Sequence, residues 1–422
     1  MKAISLLAFT LILSVGVNGW QAQAATTVEK PVAVIQAAPK MSDAAATAAT
    51  IALGKKIFFD QSLSASGRIS CASCHDPKHA YAPPNNLSVQ LGGPHMASLG
   101  SRAAPSLAYH LNQTPIWYKE RASSFVERIT ETDSPPFGGF GWDGRFNKLS
   151  QQAGFPLLNA DEMANPSIEA VVDKLTRASY AEDFRKVFGA TIFTNKQQAY
   201  AQAMKAIEQF ELHDPSFYPF TSKFDAYLDD KVKLSTQEER GLKLFVDPKG
   251  GNCTSCHTLE SGADGSHPLF TNHQFEAIGV PRNNKIPANK DASYYDMGLC
   301  GPLRKDQQSD KTFCGMFKTP TLRNVATRGA FFHNGRFSTL KETLEFYVQR
   351  DTNPEKWYPK NKDGGIDKFN DLPPALRANV DIVDEPLTRK KGDKPAWNAA
   401  EINEVIAFLK TLNDGYSVPK KR

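Results

Sequence analysis

Apolar side chains recur at intervals of three and four residues in two long segments, residues 195–213 and 399–412. This spacing is typical of a helix with one buried face. A third helix start is marked by Ser235, which has Glu238 three residues later, as in a capping box. No strand-like alternation of apolar and polar residues dominates the chain between these segments. The pattern therefore predicts a mainly α fold.

Several short motifs occur twice and in the same order, which indicates an internal duplication. GKKIFFD at 54–60 matches GLKLFVD at 241–247, and each closes an apparent helix. A P-S/T-L triplet follows in each half, at residues 105–107 and 320–322. A G-R-F triplet comes after it, at residues 144–146 and 335–337. Pro215 and Pro219 interrupt helix between the halves. We therefore predict an N-terminal domain at 49–214 and a C-terminal domain at 215–422.

Four of the six cysteines belong to two copies of a C-x-x-C-H motif. The copies are CASCH, with Cys71, Cys74 and His75, and CTSCH, with Cys253, Cys256 and His257. In c-type haem attachment the two thiols bond to the porphyrin vinyl groups and the histidine coordinates the iron. A thioredoxin-like dithiol or a zinc site made from both C-x-x-C pairs is an alternative. Two copies predict two covalently bound haem c groups, one in each cytochrome-c-like domain.

The N-terminus has the pattern of a secretory signal peptide. Met1 and Lys2 precede an apolar run that is too short to span a bilayer well, and an A-x-A cleavage site ends at Ala24. We predict a signal peptide at 1–24, a flexible leader at 25–48 and export to the periplasm of a Gram-negative bacterium, with no membrane span after cleavage. An uncleaved anchor is the alternative.

The two remaining cysteines, Cys300 and Cys314, lie in a turn-rich loop. In an oxidising compartment such a pair is expected to form a structural disulfide. Closing a loop of about 15 residues stabilises the fold by roughly 3 kcal/mol in the chain-entropy model.

The charge pattern gives no sign of a nucleic-acid partner. The formal net charge is +5, and no block of Lys and Arg is present apart from the terminal KKR. Mild basicity of this kind is weak evidence for an acidic partner.

The two G-R-F triplets open windows that differ at one position. The windows are WDGRFNKLSQQAGFP and HNGRFSTLKETLEFY, at residues 142–156 and 333–347. When they are aligned on their glycines, Pro156 falls opposite Tyr347. A tyrosine oxygen can coordinate ferric iron, whereas proline has neither a ligating side-chain atom nor an N–H. We therefore expect a C-terminal haem held by His257 and Tyr347, and an N-terminal haem held by His75 with its other face open to peroxide or oxygen.

Three further side chains are candidates for the chemistry of the open haem. Glu162 could take a proton from bound peroxide and return it to the leaving oxygen, and Gln152 could donate or accept a hydrogen bond there. Trp142 could relay electrons between the haems. The ordinary alternatives are surface positions for Gln152 and Glu162 and a packed aromatic ring for Trp142.

Together these motifs resemble the bacterial di-haem cytochrome c peroxidase family. The likeness covers nearly all of the chain after the leader, and the ending LEFYVQRDTNPEKWYP is more similar to the MauG and MbnH branch, in which tyrosine replaces the usual methionine ligand. The resemblance implies that His75 and His257 are the proximal ligands and that Tyr347 is the distal ligand of the second haem. It places Trp142 between the haems. The residues that it implies for the peroxide pocket are Gln152, Pro156 and Glu162.

The same resemblance implies a reaction. In the MauG branch, hydrogen peroxide yields a high-valent state that both haems share and that oxidises a tryptophan of a partner protein. We therefore expect hydrogen peroxide as the oxidant and a periplasmic protein as the substrate. Two alternatives stay open: a conventional peroxidase that reduces peroxide to water with electrons from a small cytochrome or cupredoxin, and a non-enzymatic di-haem electron-transfer cytochrome.

Two features of the family are altered in this chain. The family often binds calcium between its haems through an asparagine side chain and two carbonyls, which here would be those of Arg328 and Ala330; Ala103 replaces the asparagine. His95 lies seven residues before Arg102, where ordinary peroxidases place a histidine that ligates the first haem at rest. A loop histidine without that role is the alternative.

Overall fold

The structure is a computed structural model that describes residues 48–109, 114–119 and 136–419. The predicted signal peptide at 1–24 and all but the last residue of the predicted leader at 25–48 lie outside the described residues. Among the described residues, no helix has the length and apolar character needed to span a bilayer.

Helices dominate the described chain, which confirms the mainly α fold class. In the first half they are α1 (Ala48–Phe58), α2 (Cys71–Cys74), α3 (Leu149–Leu158), α4 (Ile168–Leu175), α5 (Ala181–Phe188) and α6 (Lys196–His213). In the second half they are α7 (Lys223–Leu228), α8 (Thr236–Val246), α9 (Leu340–Gln349) and α10 (Ala399–Lys410).

Strands are few and short in the described residues. β1 (Leu91–Gly92) pairs antiparallel with β2 (Ser98–Leu99), and β3 (Phe275–Glu276) pairs antiparallel with β4 (Phe317–Lys318). Leu91 lies opposite Leu99, and Phe275 lies opposite Lys318. Long loops with 3₁₀ turns connect the helices, and one such turn, Cys253–Ser255, carries the second C-x-x-C-H motif.

The helix ends follow from local chemistry. Asn195 caps α6 by accepting a hydrogen bond from the Gln198 N–H, and α6 ends just before Pro215. Ser235 and Glu238 form the reciprocal capping box that the sequence predicts for α8. Helix α10 ends at Lys410, two residues before the end of the apolar pattern. Fraying and tightening of the last helical turn commonly shift an end by this much.

Two helix crossings have the same construction. Helix α1 crosses α6 at Gly54, and α8 crosses α10 at Gly241. A Cβ at either glycine would overlap a backbone carbonyl of the crossing helix, so only glycine permits these approaches. The glycine in each repeated heptapeptide therefore sets the spacing of one helix pair.

Each helix crossing belongs to its own buried cluster of hydrophobic side chains. One cluster draws its buried members from Leu53 to Phe217, and the other from Phe224 to Leu412. In the first, the rings of Phe58 and Phe210 pack edge-on at 5.4 Å between centroids. In the second, Phe245 and Phe408 make the corresponding contact at 5.2 Å. Such aromatic pairs add to the stabilisation from buried area.

Candidate functional site

His75 follows directly after the single turn of α2, with its ring oriented by a backbone contact. Its Nδ1 lies 3.1 Å from the carbonyl oxygen of Tyr81, so Nδ1 carries the proton and donates. Burial lowers the pKa of His75 to about 4, which keeps the ring neutral. A neutral ring protonated on Nδ1 has its lone pair on Nε2, as a metal-ligating histidine requires.

His257 has the same arrangement in the second half. Its Nδ1 donates to the carbonyl oxygen of Phe270 at 2.9 Å, and burial lowers the pKa of His257 to about 4. The two C-x-x-C-H histidines are therefore prepared in the same tautomer, each by a carbonyl that follows its motif.

The repeated P-S/T-L triplets hold these carbonyl-bearing segments in place. The Ser106 hydroxyl donates to the Ala80 carbonyl at 2.5 Å, and the Thr321 hydroxyl donates to the Leu269 carbonyl at 2.6 Å. Each accepting residue directly precedes the one that orients a histidine. The carbonyl of the triplet's proline also lies against the same histidine ring, and this contact opposes the fall in its pKa.

The four motif cysteines are uncharged in the folded chain. Burial raises the pKa of each thiol to about 12. Zinc requires several thiolate or imidazole ligands converging on one point. Among the described residues no group of three or more His, Cys, Asp or Glu side chains converges in this way. The structure therefore does not support the zinc alternative.

A large cavity in the second half brings the predicted ligand residues together. Cys253, Cys256, His257 and Tyr347 all line it, together with apolar side chains. Both thiols, a histidine with a free Nε2 and a tyrosine thus face one space, and these residues fit a covalently attached haem. Burial raises the pKa of Tyr347 above its usual value, so its phenol is neutral unless a cation lies beside it.

Helices α3 and α9 begin at the same point of their windows, five residues after Gly144 and Gly335 respectively. Pro156 and Tyr347 therefore occupy the same helical position. Pro156 lies inside α3, where its missing N–H leaves the helix without one backbone hydrogen bond.

Glu162 lies in the first half, close enough to Cys71 and Cys74 for its charge to raise the pKa of both thiols. Its Oε1 accepts a hydrogen bond from the Asn159 amide at 2.8 Å. Burial raises the pKa of Glu162. The Gly93 N–H, in the turn after β1, donates to the Glu162 carbonyl at 2.7 Å and holds this segment. Glu162 is thus a half-buried carboxyl close to Cys71 and Cys74.

Gln152 is half-buried and lies one helical turn before Pro156, so both residues share a face of α3. His95 is exposed in the turn between β1 and β2. The structure therefore places Gln152 on the same face of α3 as Pro156, and it places His95 on the protein surface.

Trp142 links the two halves through Ala103. Its Nε1 donates to the Ala103 carbonyl at 2.7 Å, while the Ala103 N–H donates to the His333 carbonyl at 2.7 Å. Trp142 also lines the cavity that contains His257. The aligned window positions 142 and 333 thus meet on one buried residue between the two sites.

A buried charge network, which the sequence analysis did not anticipate, fixes the Trp142 segment. The Arg102 guanidinium donates to Asp143 at 2.8 Å and, through two nitrogens, to Asp296 at 2.6 and 2.7 Å. Arg145 donates to the same Asp143 oxygen at 3.0 Å. The only sequence signal was the placement of Asp143 between Trp142 and the G-R-F triplet.

The residues suggested for calcium make other contacts. The Arg328 guanidinium donates to the Ala330 carbonyl at 3.3 Å, and the Ala103 carbonyl accepts the Trp142 hydrogen bond.

The two cysteines outside the C-x-x-C-H motifs, Cys300 and Cys314, are joined by a disulfide, with their Cα atoms 4.9 Å apart.

Comparisons with known proteins agree with this arrangement. A family model described as di-haem cytochrome c peroxidase matches residues 48–233. The methylamine utilization protein MauG of Paracoccus denitrificans is 30% identical over 87% of this chain and 89% of its own length. The chain belongs to the di-haem cytochrome c peroxidase family. As a member it is an oxidoreductase, and its family carries two haem groups.

Two further peroxidases are similar to this chain. The cytochrome c551 peroxidase of Nitrosomonas europaea is 31% identical over 69% of this chain and 71% of that protein. The crystal structure of the diheme peroxidase BthA from Burkholderia thailandensis superposes with a TM-score of 0.78 at 36% identity, covering 90% of this chain and 89% of that one. Because these relatives are named as peroxidases, the chain is an enzyme rather than a passive electron carrier.

Proposed function

We propose that this protein is a periplasmic di-haem peroxidase that uses hydrogen peroxide to oxidise a tryptophan of a partner protein. The cysteine pairs Cys71/Cys74 and Cys253/Cys256 would each hold one haem c covalently. The haem groups would supply iron centres that accept and store oxidising equivalents. Matching glycine crossings and matching histidine contacts support two cytochrome-c-like domains, 49–214 and 215–422, that arose by duplication.

The observation that carries this proposal is the difference between Tyr347 and Pro156. Tyr347 faces the cavity lined by His257, so its phenolic oxygen would complete the coordination of the second haem iron. At the equivalent helical position Pro156 offers no ligand. His75 would therefore be the single protein ligand of the first iron, and that site would admit peroxide. Two chemically different haem sites suit a division between peroxide binding and electron storage.

At the first site Glu162 would act as the general acid and base. Its carboxylate would accept a proton from entering peroxide and return it to the leaving oxygen. Asn159 donates a hydrogen bond that fixes one carboxylate oxygen. The nearby Arg145 guanidinium lowers the pKa of Glu162 and so offsets part of the rise that burial causes. Gln152 would donate a neutral hydrogen bond from the same helix face as Pro156.

Trp142 would connect the two sites. Its indole lines the cavity that His257 also lines, and it donates a hydrogen bond to the Ala103 carbonyl. Ala103 lies two residues before Pro105, whose carbonyl lies against His75. An aromatic ring held in this position would shorten the path for electrons between the sites. The buried Arg102 network would keep it from moving.

A conventional peroxidase that takes electrons from a small cytochrome or cupredoxin is the second candidate, which the relative from Nitrosomonas europaea favours. The holoenzyme should be given hydrogen peroxide with either a reduced carrier of this kind or the protein encoded by the neighbouring gene. We expect slow carrier oxidation and a mass change confined to a tryptophan-containing peptide of the neighbouring protein. Rapid, sustained carrier oxidation with no change in the protein's mass would overturn the proposal and support the conventional reaction.

A further inference from the structure

Arg328 is a cation that bridges the two halves between the candidate haem sites. Its guanidinium donates to the Ala104 carbonyl at 3.2 Å and to the Ala330 carbonyl at 3.3 Å, and these carbonyls belong to different halves of the chain. Arg328 also lines the cavity that contains His257. On the other side, the segment after Ala104 leads to Leu107, whose N–H donates to the Tyr81 carbonyl that orients His75. One side chain therefore contacts or influences both sites.

Unlike Arg102 and Arg323, Arg328 has no carboxylate partner among the residues that the structure describes. Arg102 is paired with Asp143 and Asp296, and Arg323 is paired with Asp225. Burial lowers the pKa of Arg328 to about 10, which still leaves it charged at neutral pH. Arg328 is half-buried, and its hydrogen bonds to other described residues go to backbone carbonyls. Partly removing a charge from water without a carboxylate partner is costly, so its retention calls for a role at this position.

The surroundings of Arg328 are unsuited to a metal ion. Calcium takes six to eight oxygen ligands, usually with carboxylates among them. Here Ala103 has no side-chain oxygen, its carbonyl accepts the Trp142 hydrogen bond, and the Ala330 carbonyl accepts one from Arg328. No cluster of three or more metal-ligating side chains lies among the described residues. A divalent ion bound at these carbonyls would also face the charge of the guanidinium.

We propose that Arg328 is a resident cation that takes the place of a metal ion between the two haem sites. It holds the Ala104 and Ala330 segments together, and it keeps a fixed positive charge beside the His75 site. A positive charge favours the reduced state of a nearby redox centre, so Arg328 should raise the reduction potential of the first site. The statement about potential rests on the proposed haem attachment; the statement about metal does not.

The first test measures metal in the purified holoenzyme after treatment with EGTA and gel filtration. We expect two irons and no calcium per chain by elemental analysis, and an unfolding temperature and absorption spectrum that neither EGTA nor added calcium changes. Calcium retained at one ion per chain, or an unfolding temperature that rises with added calcium, would overturn the proposal. An iron content other than two would instead count against the proposed function.

The second test uses Arg328→Met and Arg328→Lys, with Arg68→Met as the control for loss of an exposed arginine charge. We expect the midpoint potential of the first site to fall in Arg328→Met, to be largely retained in Arg328→Lys and to stay unchanged in Arg68→Met. An unchanged potential in Arg328→Met would contradict the role of the charge. If that variant does not fold, the metal content of the natural holoenzyme and the potential of Arg328→Lys still decide the proposal.

Discussion

Under the proposed function, Tyr347 and Pro156 show how much a single residue can decide between two similar helices. The helices that carry them start at the same point of their windows, and the C-x-x-C-H histidines of the two halves are oriented in the same way. What differs is one side chain, which under the proposed function would either supply an oxygen ligand or supply none. The proposed difference in function between the two sites therefore belongs to the residue scale.

Replacing Tyr347 by phenylalanine should change the second site and leave the first unaltered. Loss of an oxygen ligand removes the group that stabilises ferric iron, so the reduction potential of the second site should rise. A spectroelectrochemical titration of the holoenzyme measures this shift. Tyr358→Phe is a suitable control, since its hydroxyl donates to the Gly279 carbonyl at 2.6 Å in the same half. Equal shifts in both variants would show that Tyr347 acts only through packing.

Replacing Glu162 by glutamine should slow the reaction with peroxide by about 10²- to 10⁴-fold, the usual contribution of general acid–base catalysis. The proposed mechanism needs the ionised carboxylate, and burial raises the pKa of Glu162. Its rate should therefore fall on acidification, starting at a higher pH than for an ordinary carboxyl group. Stopped-flow rates across pH test this dependence, which should vanish in Glu162→Gln.

The matched control for this substitution is Glu239→Gln, which alters an exposed glutamate of α8. Its peroxide rate and pH profile should equal those of the natural enzyme. A pH profile that persists in Glu162→Gln would assign the proton transfer to a different group.

At the scale of elements, the repeated heptapeptides are explained by helix packing. Gly54 and Gly241 allow α1 and α8 to approach their crossing helices, and the phenylalanine four residues after each glycine packs beside the crossing. Each crossing lies next to the loop that leads to its C-x-x-C-H motif. The spacing of each helix pair therefore helps to fix where the following C-x-x-C-H motif lies in the fold.

Gly241→Ala should destabilise the holoenzyme by about 1–3 kcal/mol, as is typical of overpacking. Alanine favours a helix over glycine by about 1 kcal/mol, but its Cβ would overlap the Glu404 carbonyl and force the helices apart. Denaturant unfolding measures the difference. Lys243→Ala, at an exposed position of the same helix, should change stability little. A stability of Gly241→Ala at or above that of the natural protein would contradict the packing argument.

Local patterns predicted the elements well because helix caps and apolar spacing act over a few residues. The capping box at Ser235 and the break before Pro215 were both read from neighbouring residues and are present in the structure. The contacts between distant segments could not be predicted in this way. Asp296 and Arg102 are separated by 194 residues, and no local signal pairs them. The bond from Arg328 to Ala104 likewise depends on how the halves meet.

At the scale of the whole molecule, the two halves meet around Trp142, Ala103 and Arg328. The Ala103 carbonyl accepts a hydrogen bond from Trp142 within the first half, and the Ala103 N–H donates to the His333 carbonyl of the second half. The two buried clusters are otherwise built from separate parts of the chain. Communication between the haem sites should therefore depend on this small central region.

Replacing Trp142 by phenylalanine should weaken communication between the sites while each site stays intact. After addition of peroxide, spectral change should appear at the first site and be slowed at least tenfold at the second, because the indole and its anchoring hydrogen bond are lost. Trp357→Phe is the matched control, since the buried Trp357 Nε1 has no hydrogen-bond partner among the described residues. Rapid-mixing spectroscopy follows both sites. Equal rates at the second site in Trp142→Phe and the natural enzyme would exclude a relay through Trp142.

The central claim is that one haem site is open and the other is closed by Tyr347. Low-temperature electron paramagnetic resonance of the resting ferric holoenzyme, recorded with and without hydrogen peroxide, tests it most directly. We predict one high-spin signal that peroxide removes and one low-spin signal that Tyr347→Phe alters. Two low-spin ferric signals that peroxide leaves unchanged would contradict the account.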